Sequence, residues 1–262
     1  MKKKPLKDIQ AEPDLRRIPI DKVGVKDIRY PIVVLDKKNK FQHTIASIGM
    51  YVDLPHQFKG THMSRFIEIL NEHRREITVK NFPEILKKMK QRFNASTAHL
   101  ELEFPYFIEK TAPVSRSKGL MEYKCGYTGR LSADGLKDFV LEVAVPVTTL
   151  CPCSKEISER GAHNQRGIVR VALRFKGFVW IEDIVKTIES SASAPVYSLL
   201  KRDDEKHVTE AAYDKPMFVE DVVREVALKL ERLKKISWAR IEAENWESIH
   251  NHSAYAFIER SF

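Results

Sequence analysis

One polar stretch, VPVTTLCPCSKEISERGAHNQRG (145–167), gathers two of the chain's three cysteines, Cys151 and Cys153, and a histidine, His163. A thiolate, an imidazole and a carboxylate within reach of one another make a divalent-metal site with an open position for water or substrate. His163 follows Cys151 by twelve residues (163 − 151), farther than the ligands of structural zinc usually stand. Structural zinc takes four ligands from paired CxxC or HxxxH units, and the sequence contains none. A catalytic site gathered from several loops fits this spacing better than a zinc finger does. The Cys-Pro-Cys run also suggests redox or nucleophilic thiol chemistry, although CxC is not the thioredoxin spacing. A cysteine that merely packs or faces solvent is the third reading.

Three further groups offer polar chemistry. The run KRDDEKHVTE (201–210) reads either as a solvated loop of mixed charge or as part of a site. In ENWESIHNH (244–252), His250 and His252 would share one face of a strand, because side chains alternate with period two. Two such histidines suit anion binding or acid–base work, and also occur on inert surfaces. Glu220 falls in the first turn of a long predicted helix, where the helix dipole favours a carboxylate. Neither GxxxxGK[ST] nor GxGxxG appears, so no P-loop or Rossmann cofactor site is indicated.

These residues need a scaffold, and alternation supplies one. The stretches at 137–148 and 167–178 read as strands flanking the cysteine segment, which is expected to be a loop. Before them come strands at 30–36 and 41–54, joined by a tight turn. Helices follow at 66–74, capped by Ser64, and at 83–93, with Pro83 in the first turn. Strands at 98–109 and 121–131 close the first half. The second half repeats the order, with helices at 180–190 and 218–233 and closing strands at 238–245 and 252–260. Strand, strand, helix, helix, strand, strand is an α+β layer, antiparallel strands with two helices on one face. The expected organisation is an arm over 1–29 and two units, 30–134 and 135–262.

The 262 residues are 43% hydrophobic and 31% charged, as in globular proteins. No apolar run approaches the roughly 20 residues of a membrane span. The basic N-terminus lacks the apolar core of a secretory signal, and three cysteines do not make a disulfide framework. A cytoplasmic protein without a membrane partner is expected. The net charge of +9 admits nucleic acid, a polyphosphate substrate or a plain basic surface. The basic residues are scattered, with no arginine-rich tract or RNP-like spacing, so no nucleic-acid partner is assigned.

Five stretches together resemble GTP cyclohydrolase type IB: GTHMSR (60–65), the 145–167 block, KRDDEK (201–206), FVED (218–221) and ESIHNHSAYA (247–256). The resemblance implies two tandem tunnelling-fold (T-fold) units and a homotetramer with active sites at subunit boundaries. It implies conversion of GTP and water to 7,8-dihydroneopterin triphosphate and formate, the opening step of tetrahydrofolate biosynthesis. A divalent ion, zinc or manganese, would be held by Cys151, His163 and Glu205. Glu220 would anchor the guanine. His250 and His252 would move protons or steady the ribose and phosphates, and Arg65, Lys155 and Arg166 would neutralise the triphosphate. The runner-up is another T-fold enzyme, the nitrile reductase of the queuosine pathway, which has a glutamate anchor and a reactive cysteine too.

Overall fold

Period-two burial sets most strand boundaries in the computed structural model, which describes residues 7–10, 12–73, 81–135 and 137–262. The chain is mixed α+β, and its packing divides it into two units. One comprises the chain up to Phe104 with Gly126–Phe139, the other Pro105–Cys125 with Val140–Phe262.

In the first unit, β1 (Ile20–Asp36) pairs antiparallel with β2 (Lys40–Leu54). The turn between them is tied by Asp36, whose carboxylate accepts the backbone N–H groups of Lys38 and Asn39 at 2.8 and 2.6 Å. Strand β1 starts ten residues before the expected 30. A register shift between Val25 and Ile28, with Asp27 at φ 58°, breaks the alternation that would have revealed it. Helices α1 (Ser64–Glu72) and α2 (Phe82–Phe93) follow. The expected Ser64 cap is not formed: Met63 is the N-cap and no side chain bonds there. On α1, Phe66, Ile69 and Leu70 are buried, whereas Ile67 is exposed. The expected end of this helix at Arg74 lies outside the described residues. Ile48, Met50 and Val52 of β2 are buried, as are Phe66, Ile69, Ile85 and Met89 of the helices. Strands β3 (Ala98–Thr111) and β4 (Lys118–Leu131) complete the order, each contributing one end to this unit.

The second unit carries the cysteine segment. Strand β5 (Lys137–Leu150) pairs antiparallel with β6 (Asn164–Phe175), β6 with β8 (Ile236–Trp246), and β8 with β9 (Ser253–Ser261). A two-residue strand, β7 (Ala194–Pro195), adds to β5 at Val147 and Thr148. Between the strands lie four helices rather than the expected two: α3 (Pro152–Ile157), α4 (Ile181–Glu189), α5 (Arg202–Asp214) and α6 (Val219–Arg232). Helix α6 packs on β8 and β9 through Val222, Val223, Val226 and Leu230, and α4 packs on α6. Among the described residues no helix is long and apolar enough to cross a membrane.

Helix α5 replaces the solvated loop read at 201–210. It escapes an apolar pattern because only Asp204 and Ala212 are buried in it. Its anchor is the carboxylate of Asp204, which accepts the Ser115 hydroxyl at 2.6 Å, the Val114 and Ser115 amides at 2.8 Å, and the Lys201 amide at 2.9 Å. Burial alone would raise this carboxyl, but the hydrogen bonds outweigh it and hold the group well below the usual carboxylate range. A depressed folded value means the stabilisation is fully present above the unfolded value of about 4 and is lost as pH falls toward the folded one. Asp204→Asn should therefore be less stable than the parent at pH 7, and the gap in urea midpoints should narrow on acidification to pH 3. Equal midpoints at pH 7 would contradict the assignment.

Candidate active site

The β5–β6 ladder closes with Leu150 opposite Asn164, so the next residue on each side, Cys151 and His163, must meet. The Cys151 amide donates to the His163 carbonyl at 3.1 Å. The twelve-residue separation in sequence thus becomes direct adjacency. Between the two, α3 starts with Pro152, which lacks the N–H that a first-turn residue leaves unpaired anyway. Cys151 is its N-cap, and its Sγ accepts the Ser154 amide at 3.4 Å. The Ser154 hydroxyl takes the His163 amide at 3.1 Å, cross-bracing the excursion.

The main chain before Cys151 is clamped on both sides. The Leu150 amide donates to the buried Ser193 hydroxyl at 3.1 Å, and its carbonyl accepts the Met217 amide at 2.9 Å. Ser193 precedes β7, and the chain just beyond β7 is held by Lys110, which donates to the Val196 carbonyl at 2.6 Å and to Glu189 at 2.7 Å. Tyr123 adds a second donor to the same Glu189 oxygen at 2.7 Å. Burial lowers the Lys110 ammonium against the pull of Glu189, and burial raises the Tyr123 hydroxyl.

On the His163 side, the ring Nδ1 lies 3.0 Å from Gln165 Oε1 and 3.7 Å from Glu247 Oε2. Gln165 in turn donates to Thr149 at 2.9 Å. Gly167, two residues on, faces Asn245, and a Cβ there would sit 2.2 Å from the Asn245 side-chain oxygen. Glycine is required for the strands to approach this closely.

His250 and His252 lie in the turn between β8 and β9, not in a strand, so the same-face argument fails. They nevertheless come together, their exposed rings stacked with centroids 5.0 Å apart and 20° between planes. Glu247, which reaches His163, opens that same turn. Glu220 is exposed in the first turn of α6, three residues past Met217. Lys155 donates to the Tyr213 carbonyl at 2.5 Å and lies over the Tyr213 ring at 4.1 Å. Arg166 is exposed on β6, opposite Thr148. Arg65 is half-buried on α1 of the other unit.

Glu205 is exposed on the first turn of α5. Among the described residues no three His, Cys, Asp or Glu side chains converge as a metal centre. The two residues, adjacent along the main chain, supply a half-buried thiol and an imidazole, donor types that suit zinc. Cys153 is exposed, and Cys125 is buried with its thiol pushed far up by desolvation, which leaves it inert. Sequence reasoning passed over Thr149, Gln165, Ser193 and Glu247. The signal for two of them was present: polar residues at the end of rows that otherwise alternate as core.

Antiparallel strands, interleaved helices and a cysteine and histidine made neighbours at a strand end define an α+β protein with a candidate enzymatic site. Solved structures of similar fold include a uricase from Bacillus fastidious, with TM-score 0.57 and 8% identity over 92% of this chain and 93% of that one. Another is urate oxidase from Bacillus sp. TB-90, with TM-score 0.56 and 9% identity over 93% and 100%. At such identities the likeness concerns the fold alone. Residues 6–256 match the family described as Type I GTP cyclohydrolase folE2, and the chain belongs to that family. Among its relatives, GTP cyclohydrolase FolE2 of Syntrophotalea carbinolica is 65% identical over 97% of this chain and 95% of its own. FolE2 of Geobacter sulfurreducens is 62% identical over 97% of both chains.

The clamp on Leu150 makes a direct prediction. Ser193→Ala leaves a buried amide unpaired and should cost about 1–3 kcal/mol, read as a lower urea midpoint. Ser193→Thr, which keeps the hydroxyl, should recover more of the midpoint than alanine does.

Proposed function

We propose that the chain is a GTP cyclohydrolase of type IB, converting GTP and water to 7,8-dihydroneopterin triphosphate and formate at the start of tetrahydrofolate biosynthesis. The observation that carries this reading is the family match over residues 6–256, which contains the adjacent pair Cys151 and His163. The family and the relatives named above carry the cyclohydrolase description, and no feature of the site favours the queuosine-pathway reductase.

In this reading Cys151 and His163 hold a zinc or manganese ion, with Glu205 as third ligand. When bound, such an ion supplies Lewis acidity and lowers the pKa of water toward neutrality. The chain's own residues do the rest. Glu220, near the clamp on Leu150 by way of Met217, accepts the N–H donors of the guanine edge, which selects against bases that would leave the carboxylate unpaired. The stacked His250 and His252 transfer protons while the imidazole ring of guanine opens and C8 leaves as formate. Arg166, Lys155 and Arg65 neutralise the triphosphate, Lys155 by exchanging its bond to the Tyr213 carbonyl for a phosphate oxygen. The fold in this reading is two T-fold units, divided near 134/135, in a cytoplasmic homotetramer with sites at subunit boundaries.

Purified protein given GTP with Mn²⁺ or Zn²⁺ should yield a pterin that fluoresces after oxidation, and no product with either ion would sink the proposal. Cys151→Ala should lose bound metal and at least about 100-fold in activity together. Full activity in that variant would remove Cys151 from the site. Glu220→Gln should raise KM for GTP more than it changes metal content.

A further inference from the structure

We infer that Gln165 is a positioning residue for His163. It holds the ring with Nδ1 as the proton-bearing nitrogen, so that Nε2 presents its lone pair. This extends the reading in which His163 is a metal ligand, and it stands on geometry that does not involve the ion.

Two polar residues occupy positions where the strand pattern calls for apolar ones. The inward row of β5 runs Leu141, Val143, Val145, Val147 and then Thr149, all buried. The inward row of β6 runs Leu173, Val171, Val169, Gly167 and then Gln165. Thr149 and Gln165 face each other in register, 0% and 7% exposed. Two valines would continue both rows without burying an amide, and an unpaired buried amide costs about 1–3 kcal/mol. Gln165 is instead engaged at both amide atoms, Nε2 on Thr149 Oγ1 at 2.9 Å and Oε1 on His163 Nδ1 at 3.0 Å.

The threonine alone does not orient the amide, because a hydroxyl can donate or accept. Glu247 decides it. Its Oε2 lies 3.7 Å from the same Nδ1, and a carboxylate only accepts. A lone pair on Nδ1 would face that negative oxygen. A proton on Nδ1 faces two acceptors, and the amide N–H then turns to Thr149. The ring is left with an unprotonated Nε2, a lone pair that a metal ion can take, and its orientation is fixed by a partner outside the ligand set.

Long-range ¹H–¹⁵N correlation on ¹⁵N-labelled, metal-free protein, with the His163 signals identified by their loss in His163→Gln, reads the tautomer directly. The expected result is Nδ1–H as the dominant neutral form, and dominant Nε2–H overturns the inference. Gln165→Leu should shift the ring toward Nε2–H and weaken zinc binding, measured by chelator competition, by about 10–100-fold. Gln165→Glu, which keeps the acceptor, should bind zinc more tightly than the leucine variant. Unchanged tautomer and affinity in Gln165→Leu would also overturn the inference. A parent protein that binds no zinc yet shows Nδ1–H refutes the metal reading and leaves the positioning role intact.

Discussion

Everything at the candidate site depends on where one antiparallel ladder stops. Paired strands bring residues together only in register, and here the last pair is Leu150 with Asn164. One further hydrogen bond, from the Cys151 amide to the His163 carbonyl, makes neighbours of two residues whose sequence spacing promised little. Closing such an excursion costs conformational entropy that grows only slowly with its length. The cross-brace through Ser154 and the proline-led turn of α3 reduce that cost further by restricting the loop locally. Side-chain chemistry at this point inherits the precision of a sheet.

The supports around the ladder end act on the main chain. Leu150 is fixed by Ser193 on one side and Met217 on the other. Each connects the thiol to a different part of the second unit: Ser193 to the segment held by Lys110 and Glu189, and Met217 to the start of α6, where Glu220 lies. An altered bond in either place would move Cys151 without touching it. This is the usual way a site on a loop keeps its geometry when the loop itself has few buried contacts.

The element order of the first half is legible in the sequence, because β2 and β3 alternate and the helices carry apolar stripes. Strand β1 was read short since a bulge interrupts its period. Helix α5 is invisible to periodicity because it is anchored by one buried carboxylate and not by an apolar face. The motif stretches named Cys151 and His163, and the structure brings them together. It does not bring Glu205 to them among the described residues. Thr149 and Gln165 went unread because polar residues at the end of a core row look like the strand leaving the core. Only the register, with the two facing each other, shows that they stay buried. His250 and His252 stand in a turn and not in a strand, and ring stacking there achieves the proximity that strand alternation would have given.

The surplus of positive charge has a structural use that composition cannot display. Lys215 and Lys229 both donate to the Ser190 carbonyl just past the end of α4, at 2.7 and 2.8 Å. Cations at that end complement the helix dipole and satisfy an acceptor that the helix leaves open. Burial and the neighbouring Lys229 charge together lower the Lys215 ammonium, so the pairing on one carbonyl works against like-charge repulsion. Lys110 and Lys155 likewise end on the Val196 and Tyr213 carbonyls. Four lysines thus serve as clamps on the backbone of the second unit. A field for a polyanion must come from cations that are not so engaged or that can exchange partners. Arg166, exposed on the strand that begins beside His163, meets the first condition, and Lys155, half-buried at the end of a flexible stem, meets the second. The net charge therefore says little about ligands until each cation is assigned its acceptor.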